Sequence, residues 1–176
     1  MLESSKKINY HNGEIISLRK LGVLAWRQGQ NEKSMEYFER GLSLSQKFKI
    51  QKLSATFMNN IAVLKKNQGD ISAAERLYNE SLEIKRELGD KSGIAQSLNN
   101  LGILKKAQGD IAEAERLYNE SLEIKRELGD KKGIAGSLNN LGSLKKAQGD
   151  IAEAERLYNE SLEIRRELGY KSGIAE

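Results

Sequence analysis

The residues able to do chemistry are few, and most of them recur. There is one histidine, His11, and no cysteine, so nucleophiles, general bases and soft metal ligands are scarce. His11 sits in a polar stretch without a recurring partner, and no phosphate-binding glycine loop or metal-spaced cluster accompanies it. What recurs is suited to recognition. Asn59-Asn60, Asn99-Asn100 and Asn139-Asn140 stand 40 residues apart, each followed by a lysine, Lys66, Lys106 or Lys146. A primary amide donates and accepts hydrogen bonds at once. Between them lie Val63 and Ile103, with Ser143 in the last copy. The first copy differs and carries Arg19, Val23 and Trp26 at the matching places. Trp and Arg are frequent interface hot spots. Trp26 is either such an anchor or a packing residue of the first repeat.

These residues are positioned by a repeat. Residues 89–128 and 129–168 are nearly the same block, and weaker copies cover 49–88 and 9–48. A short unit repeated head to tail buries its apolar face only by stacking on its neighbours. In the third copy Ile94, Leu98, Leu101, Gly102 and Leu104 form one helical stripe, capped by Asp90 and stopped at Gly109. Asp110 opens a second helix, with Glu113 three residues on as a capping box. Its apolar positions are Ile111, Ala114, Leu117, Tyr118, Leu122 and Leu128. The short turn predicts antiparallel packing of helix A on helix B. Asp150 and Glu153 repeat the box. Asp70 lacks the glutamate, which predicts a weaker cap, and the first copy offers Asn31. Small residues, Gly22, Ala62, Gly102 and Gly142 on helix A and Ser34, Ala74, Ala114 and Ala154 on helix B, mark close helix approach. The glycine interrupts a helix at about 1 kcal/mol against alanine. Ala62 indicates that small size is what is kept.

Composition supports this reading. The 176 residues contain no proline, which suits a nearly all-helical chain. Lack of cysteine excludes disulfides and points to a reducing, intracellular and cytoplasmic setting. No stretch is apolar enough to span a bilayer, and residues 1–12 lack a secretion signal. A net charge of +4 over 29 basic and 25 acidic residues describes a mixed surface, not a nucleic-acid-binding one.

The pattern L-x-x-L-G, then G, then A-x-x-x-Y, seen in Leu98, Leu101, Gly102, Gly109, Ala114 and Tyr118, resembles the tetratricopeptide repeat. The resemblance runs from about Asn9 to Leu168. Its 40-residue length exceeds the usual 34 and is more similar to kinesin light chains and Pins-type adaptors. The resemblance implies an all-α, right-handed α-solenoid of antiparallel helix-turn-helix units, with the A helices lining a concave groove. The chain departs from the family pattern at Lys65, Lys105 and Lys145, where a tyrosine is usual. Each of these lysines falls in the apolar stripe, its stem expected on the core and its amine reaching out.

Opposite the core, helix A presents Gln96, Asn99, Asn100, Ile103, Lys106 and Ala107. The resemblance implies that the asparagine before Leu-Gly, Asn60, Asn100 or Asn140, holds a bound peptide's backbone. The alternative is that these asparagines only solvate or cross-link neighbouring helices. Three such hydrogen bonds supply roughly 3 kcal/mol, short of the ~8 kcal/mol of micromolar affinity, so apolar anchors must add to them. The groove face has lysines and no carboxylates, which predicts an acidic or neutral extended peptide and no cofactor or metal. Helix B carries Glu113, Glu115, Glu120, Glu123 and Glu127 as a solvated coat, with Arg116–Glu120 a surface pair. RNA binding is disfavoured, since base-reading repeats vary their reading positions and these are identical. The phase leaves 1–8 as the tail of a preceding helix B and 169–176 as the start of a further helix A. That predicts a fragment of a longer array, with end-to-end association as the alternative role.

Overall fold

The computed structural model describes residues 2–169. Its helices fall into two compact units, 1–89 and 90–176. The first holds α1 (Leu2–Arg27), α2 (Asn31–Lys47), α3 (Gln51–Asn67) and α4 (Ile71–Glu87). The second holds α5 (Lys91–Ala107), α6 (Ile111–Glu127), α7 (Lys131–Ala147) and α8 (Ile151–Glu167). No strand occurs among the described residues. Within each unit every helix packs on the next, and in the second α5 also touches α7. Each unit is therefore two helix-turn-helix repeats of an all-α solenoid. α1 is continuous across Asn9, where the repeat phase places a turn. Residues 170–176, expected to begin a further helix, lie outside the described residues.

The turns explain the tight antiparallel pairs. Gly69, Gly109 and Gly149 take φ of +83°, +81° and +83°, the left-handed conformation open to a residue without Cβ. Lys49 holds the same kind of turn with φ +56°, a strained choice for a lysine. Beyond the turn, Asp90, Asp110, Asp130 and Asp150 cap the next helix, Asp110 accepting from Glu113 N–H at 3.3 Å. Asp70 caps Ala73 N–H at 3.2 Å.

Three sequence expectations change here. The capping box is half formed. The Asp110 N–H already bonds the Lys105 carbonyl at 2.9 Å, so Glu113 instead grips Arg116 with two bonds of 2.7 and 2.8 Å. Arg116 also reaches Glu120 at 3.1 Å. Asn31 is not a cap, because Gln30 holds that position and makes no side-chain cap bond. Leu128 is 45 % exposed at a helix end, outside the core that holds Ile111 half-buried, Leu117 and Leu122.

The small residues of helix A do mark close approach, but what approaches is an aromatic ring. A Cβ at Gly102 would meet Tyr118 Cε1 at 2.6 Å, and one at Gly142 would meet Tyr158 Cε1 at 2.9 Å. At Gly22 it would meet the Phe38 ring. A buried serine ties each later pair together, with Ser81, Ser121 and Ser161 donating to the carbonyls of Ala55, Ala95 and Ala135 at 2.7, 2.7 and 2.8 Å. Those hydroxyls are therefore satisfied despite burial.

Candidate functional site

The A-helix residues singled out by the sequence fall into distinct environments. On α1, Arg19 and Val23 are half-buried and Trp26 is 44 % exposed. On α3, Asn60, Val63 and Lys66 are half-buried, whereas Asn59 is only 3 % exposed and so is withdrawn from the surface. On α5, Asn99, Asn100, Ile103 and Lys106 are all half-buried. On α7, Asn140 is half-buried while Asn139 and Lys146 are exposed.

In the second unit these side chains meet. Asn140 donates from Nδ2 to Asn99 Oδ1 at 2.9 Å. Lys106 Nζ donates to Ser143 Oγ at 2.6 Å. Ser143, the residue that interrupts the apolar series of Val23, Val63 and Ile103, thus receives a lysine from the preceding repeat. The rungs are diagonal: the first asparagine of one repeat bonds the second of the next. Cross-linking between neighbouring A helices, one of the two roles open to these amides, is therefore present at this pair.

The stripe lysines behave as their spacing implies. Lys145 Nζ lies 2.7 Å from Glu115 Oε1 of α6, joining the two repeats. Lys65 Nζ lies 3.9 Å from Asp70 at the turn.

A cleft of about 400 Å³ opens beside the amides of α5. Ser92, Gln96, Asn99 and Asn100 form one wall, and Lys125, Leu128 and Asp130 close it. Lys125 donates to Ser137 Oγ at 2.8 Å. Burial pushes its ammonium below the usual lysine range, and the nearby Asp130 carboxylate offsets part of that. Asp130 also caps α7 through Gly133 N–H at 2.9 Å. The cleft thus combines neutral amides, a desolvated cation and one carboxylate, a donor-rich set for carbonyl or carboxylate groups. Sequence reasoning missed Lys125 and Asp130, and it counted Leu128 with the apolar stripe of helix B and not with this cleft. The signal was present: Tyr118, Leu122 and Lys125 follow i, i+4, i+7 spacing, which puts a lysine on the buried side of helix B.

His11 is accounted for by packing. Its ring stacks on Phe48 with centroids 4.1 Å apart, and Glu14, 3.7 Å from its Nδ1, is engaged by Arg40 at 2.8 Å. No group of three or more metal-capable side chains converges among the described residues. No described helix is long and apolar enough to cross a membrane.

Tetratricopeptide repeat profiles match residues 20–48, 53–127 and 134–168. The chain belongs to the tetratricopeptide repeat family. No curated protein sequence matches it significantly. Several solved structures share its fold. BtubC (BKLC) from P. vanneervenii is 28 % identical with a TM-score of 0.75, over 87 % of this chain and 63 % of that one. RapI in its apo form is 19 % identical with a TM-score of 0.79, over 89 % and 57 %. A Rap protein complexed with Competence and Sporulation Factor is 21 % identical with a TM-score of 0.81, over 87 % and 43 %. The chain spans less than two thirds of each of these proteins. Tetratricopeptide repeats build protein-interaction scaffolds, and this chain is a scaffold of that repeat type.

Proposed function

We propose that the protein is a non-catalytic interaction module that holds an extended, acidic or neutral peptide segment along the groove face of its A helices. The observation that carries this reading is the α5 cleft, where Gln96, Asn99 and Asn100 stand opposite the desolvated Lys125. Amides engage a peptide backbone in both directions, and the ammonium selects a carboxylate. In the second unit Lys106 and Lys146 add cations and Ile103 offers apolar contact, and Lys66 and Val63 hold the equivalent repeat positions on α3. At the equivalent repeat positions on α1, Arg19 and Trp26 offer a cationic and an aromatic contact of a kind that amides, at about 1 kcal/mol per net hydrogen bond, cannot provide. The Asn99–Asn140 and Lys106–Ser143 bonds hold the side chains in place before a ligand arrives, which lowers the ordering cost of binding. A partner in such a setting is a soluble protein, and the cytoplasm fits the lack of cysteine.

The test is selection from a displayed dodecapeptide library, followed by titration of the best binders. Acidic or neutral sequences should emerge. Replacing Lys66, Lys106 and Lys146 together by Glu should weaken binding at least tenfold. Unchanged affinity in that variant would sink the groove reading.

A further inference from the structure

Lys125 has a double whose surroundings differ. Residues 119–128 repeat 79–88 letter for letter. Lys85 is nevertheless 3 % exposed, whereas Lys125 is half-buried and lines the open cleft of the second unit. The other two copies carry Ser45 and Arg165 at this place. Of the four equivalents, Lys125 is thus the primary amine that a small molecule can reach.

The cleft holds that amine in a reactive setting. Gly133 leaves room for its stem, since a Cβ there would stand 3.0 Å from Lys125 Cδ. Its Nζ donates to Ser137 Oγ at 2.8 Å, and Ser137 is fully buried. The nitrogen is therefore anchored through one N–H, and the lone pair of the neutral amine is left for other work. Burial disfavours the ammonium, and the Asp130 carboxylate offsets only part of this, so the group lies below the ordinary lysine range. Only a neutral amine attacks an electrophile, and desolvation raises its share at neutral pH. The same cleft is lined by Gln96 and Asn99. Asn140 occupies the Asn99 carbonyl at 2.9 Å, so what Asn99 offers is its NH₂ group, a donor suited to an oxyanion. The volume of about 400 Å³ admits a compact acyl donor.

We propose that Lys125 is a covalent modification site, acylated by small acyl phosphates that enter the cleft. Nζ attacks the carbonyl carbon, a C–N bond forms, and the Asn99 NH₂ receives the oxyanion. The bond from that carbon to the phosphate oxygen then breaks, and phosphate leaves with the electron pair. Of the three ammonium protons, one stays on the amide nitrogen, one ends on hydrogen phosphate and one goes to water. Nothing is oxidised or reduced. The product is a neutral amide that removes the cation from the cleft. The site stands whether or not a peptide binds along the A helices.

The test is treatment of the full chain with acetyl phosphate at neutral pH, followed by cleavage before aspartate and mass spectrometry. The fragments 70–89 and 110–129 differ in mass and contain one lysine each, Lys85 and Lys125. The exposed Lys146, in 130–149, serves as the reference. Lys125 should be acetylated at least fivefold faster than Lys85 and Lys146. In concentrated urea the three rates should become equal. Asn99→Ala should slow Lys125 several-fold and leave Lys146 unchanged, with unchanged circular dichroism showing that the variant folds. Three results would overturn the proposal. One is Lys125 reacting no faster than Lys146, the behaviour of an ordinary surface lysine. A second is a preference for Lys125 that survives in urea, which would place its cause outside the folded cleft. The third is an Asn99→Ala variant in which Lys125 keeps its full rate, which would mean that the amide wall takes no part.

Discussion

The contact between repeats one and two, in the first unit, is made differently from that between repeats three and four, in the second. In the first, Phe57 of α3 is fully buried and its ring fills the notch left at Gly41 of α2. Phe38 lies 6.2 Å away in a tilted pair, and Ser54 donates to Ser45 at 2.9 Å. In the second, Ser121 stands where Gly41 was, Lys125 where Ser45 was and Ser137 where Phe57 was. The ring is gone, and Lys125 bonds Ser137 at 2.8 Å instead. Glu115–Lys145, Asn99–Asn140 and Lys106–Ser143 complete a polar seam. One period and one helical frame thus support a dry aromatic joint and a wet cationic one. The second brings a desolvated ammonium to the wall of a cleft, and the first cannot.

Breaking the dry joint should have the largest effect. Phe57→Ala removes a fully buried ring and is expected to cost about 3–5 kcal/mol in urea unfolding of the first unit. The reciprocal change sharpens the contrast. Ser137→Phe meets Ser121 and Lys125 where Gly41 and Ser45 would make room, so it should cost about 1–3 kcal/mol by overpacking. Adding Ser121→Gly and Lys125→Ser should recover most of that loss. If the triple variant is no more stable than the single, the two joints are not exchangeable solutions.

Within the second unit the two repeats should behave alike. Gly102→Val and Gly142→Val both push into a tyrosine ring and should each cost about 1–3 kcal/mol, measured by thermal or urea unfolding. Smaller effects are expected at the polar seam. Asn140→Ala removes one interhelical bond and should cost about 1 kcal/mol, and Glu115→Ala less than about 1 kcal/mol because the pair is partly solvated. Lys49→Gly relieves a left-handed lysine and should stabilise the first unit by up to about 1 kcal/mol, less what the freer unfolded glycine gives back.

The last prediction concerns a property that the units share. Burial pushes the Tyr78 and Tyr118 hydroxyls up to about 12. A raised tyrosine pKa keeps the folded form protonated while the unfolded chain ionises from pH ~10. Stability from these groups is therefore complete below pH ~10 and is lost as pH rises toward 12. Absorbance titration at alkaline pH should show two tyrosines ionising late, together with unfolding.

Much of this was legible in the residues because periodicity reports the fold directly. The 40-residue copies, the Asp caps and the glycine turns marked the helices from α2 to α8, whereas α1 runs unbroken through Asn9, where the phase placed a turn. What the pattern could not give was the identity of cross-helix partners. Spacing predicted that Gly102 marks a close approach, but only packing reveals Tyr118 as what approaches. Glu113 follows Asp110 at capping-box distance, yet the Asp110 amide is already taken by Lys105. Asn59 and Asn99 hold the same place in the repeat, each followed by a second asparagine, yet Asn59 is buried and Asn99 half-buried, since Phe57, Met58 and Ile61 around the first stand where Ser97, Leu98 and Leu101 surround the second. Lys125 was overlooked because a lysine within an acidic helix reads as surface, whereas its spacing from Leu122 and Tyr118 placed it inward.

The central claim is that the A-helix amides and lysines are a ligand surface as well as interhelical ties. Mapping the side-chain NH₂ resonances of Asn99, Asn100 and Asn140 by NMR, during titration with a library-selected peptide, tests it most directly. The account predicts shifts at those three amides that saturate with added peptide. Saturating shifts confined to helix B, with those amides unmoved, would contradict it.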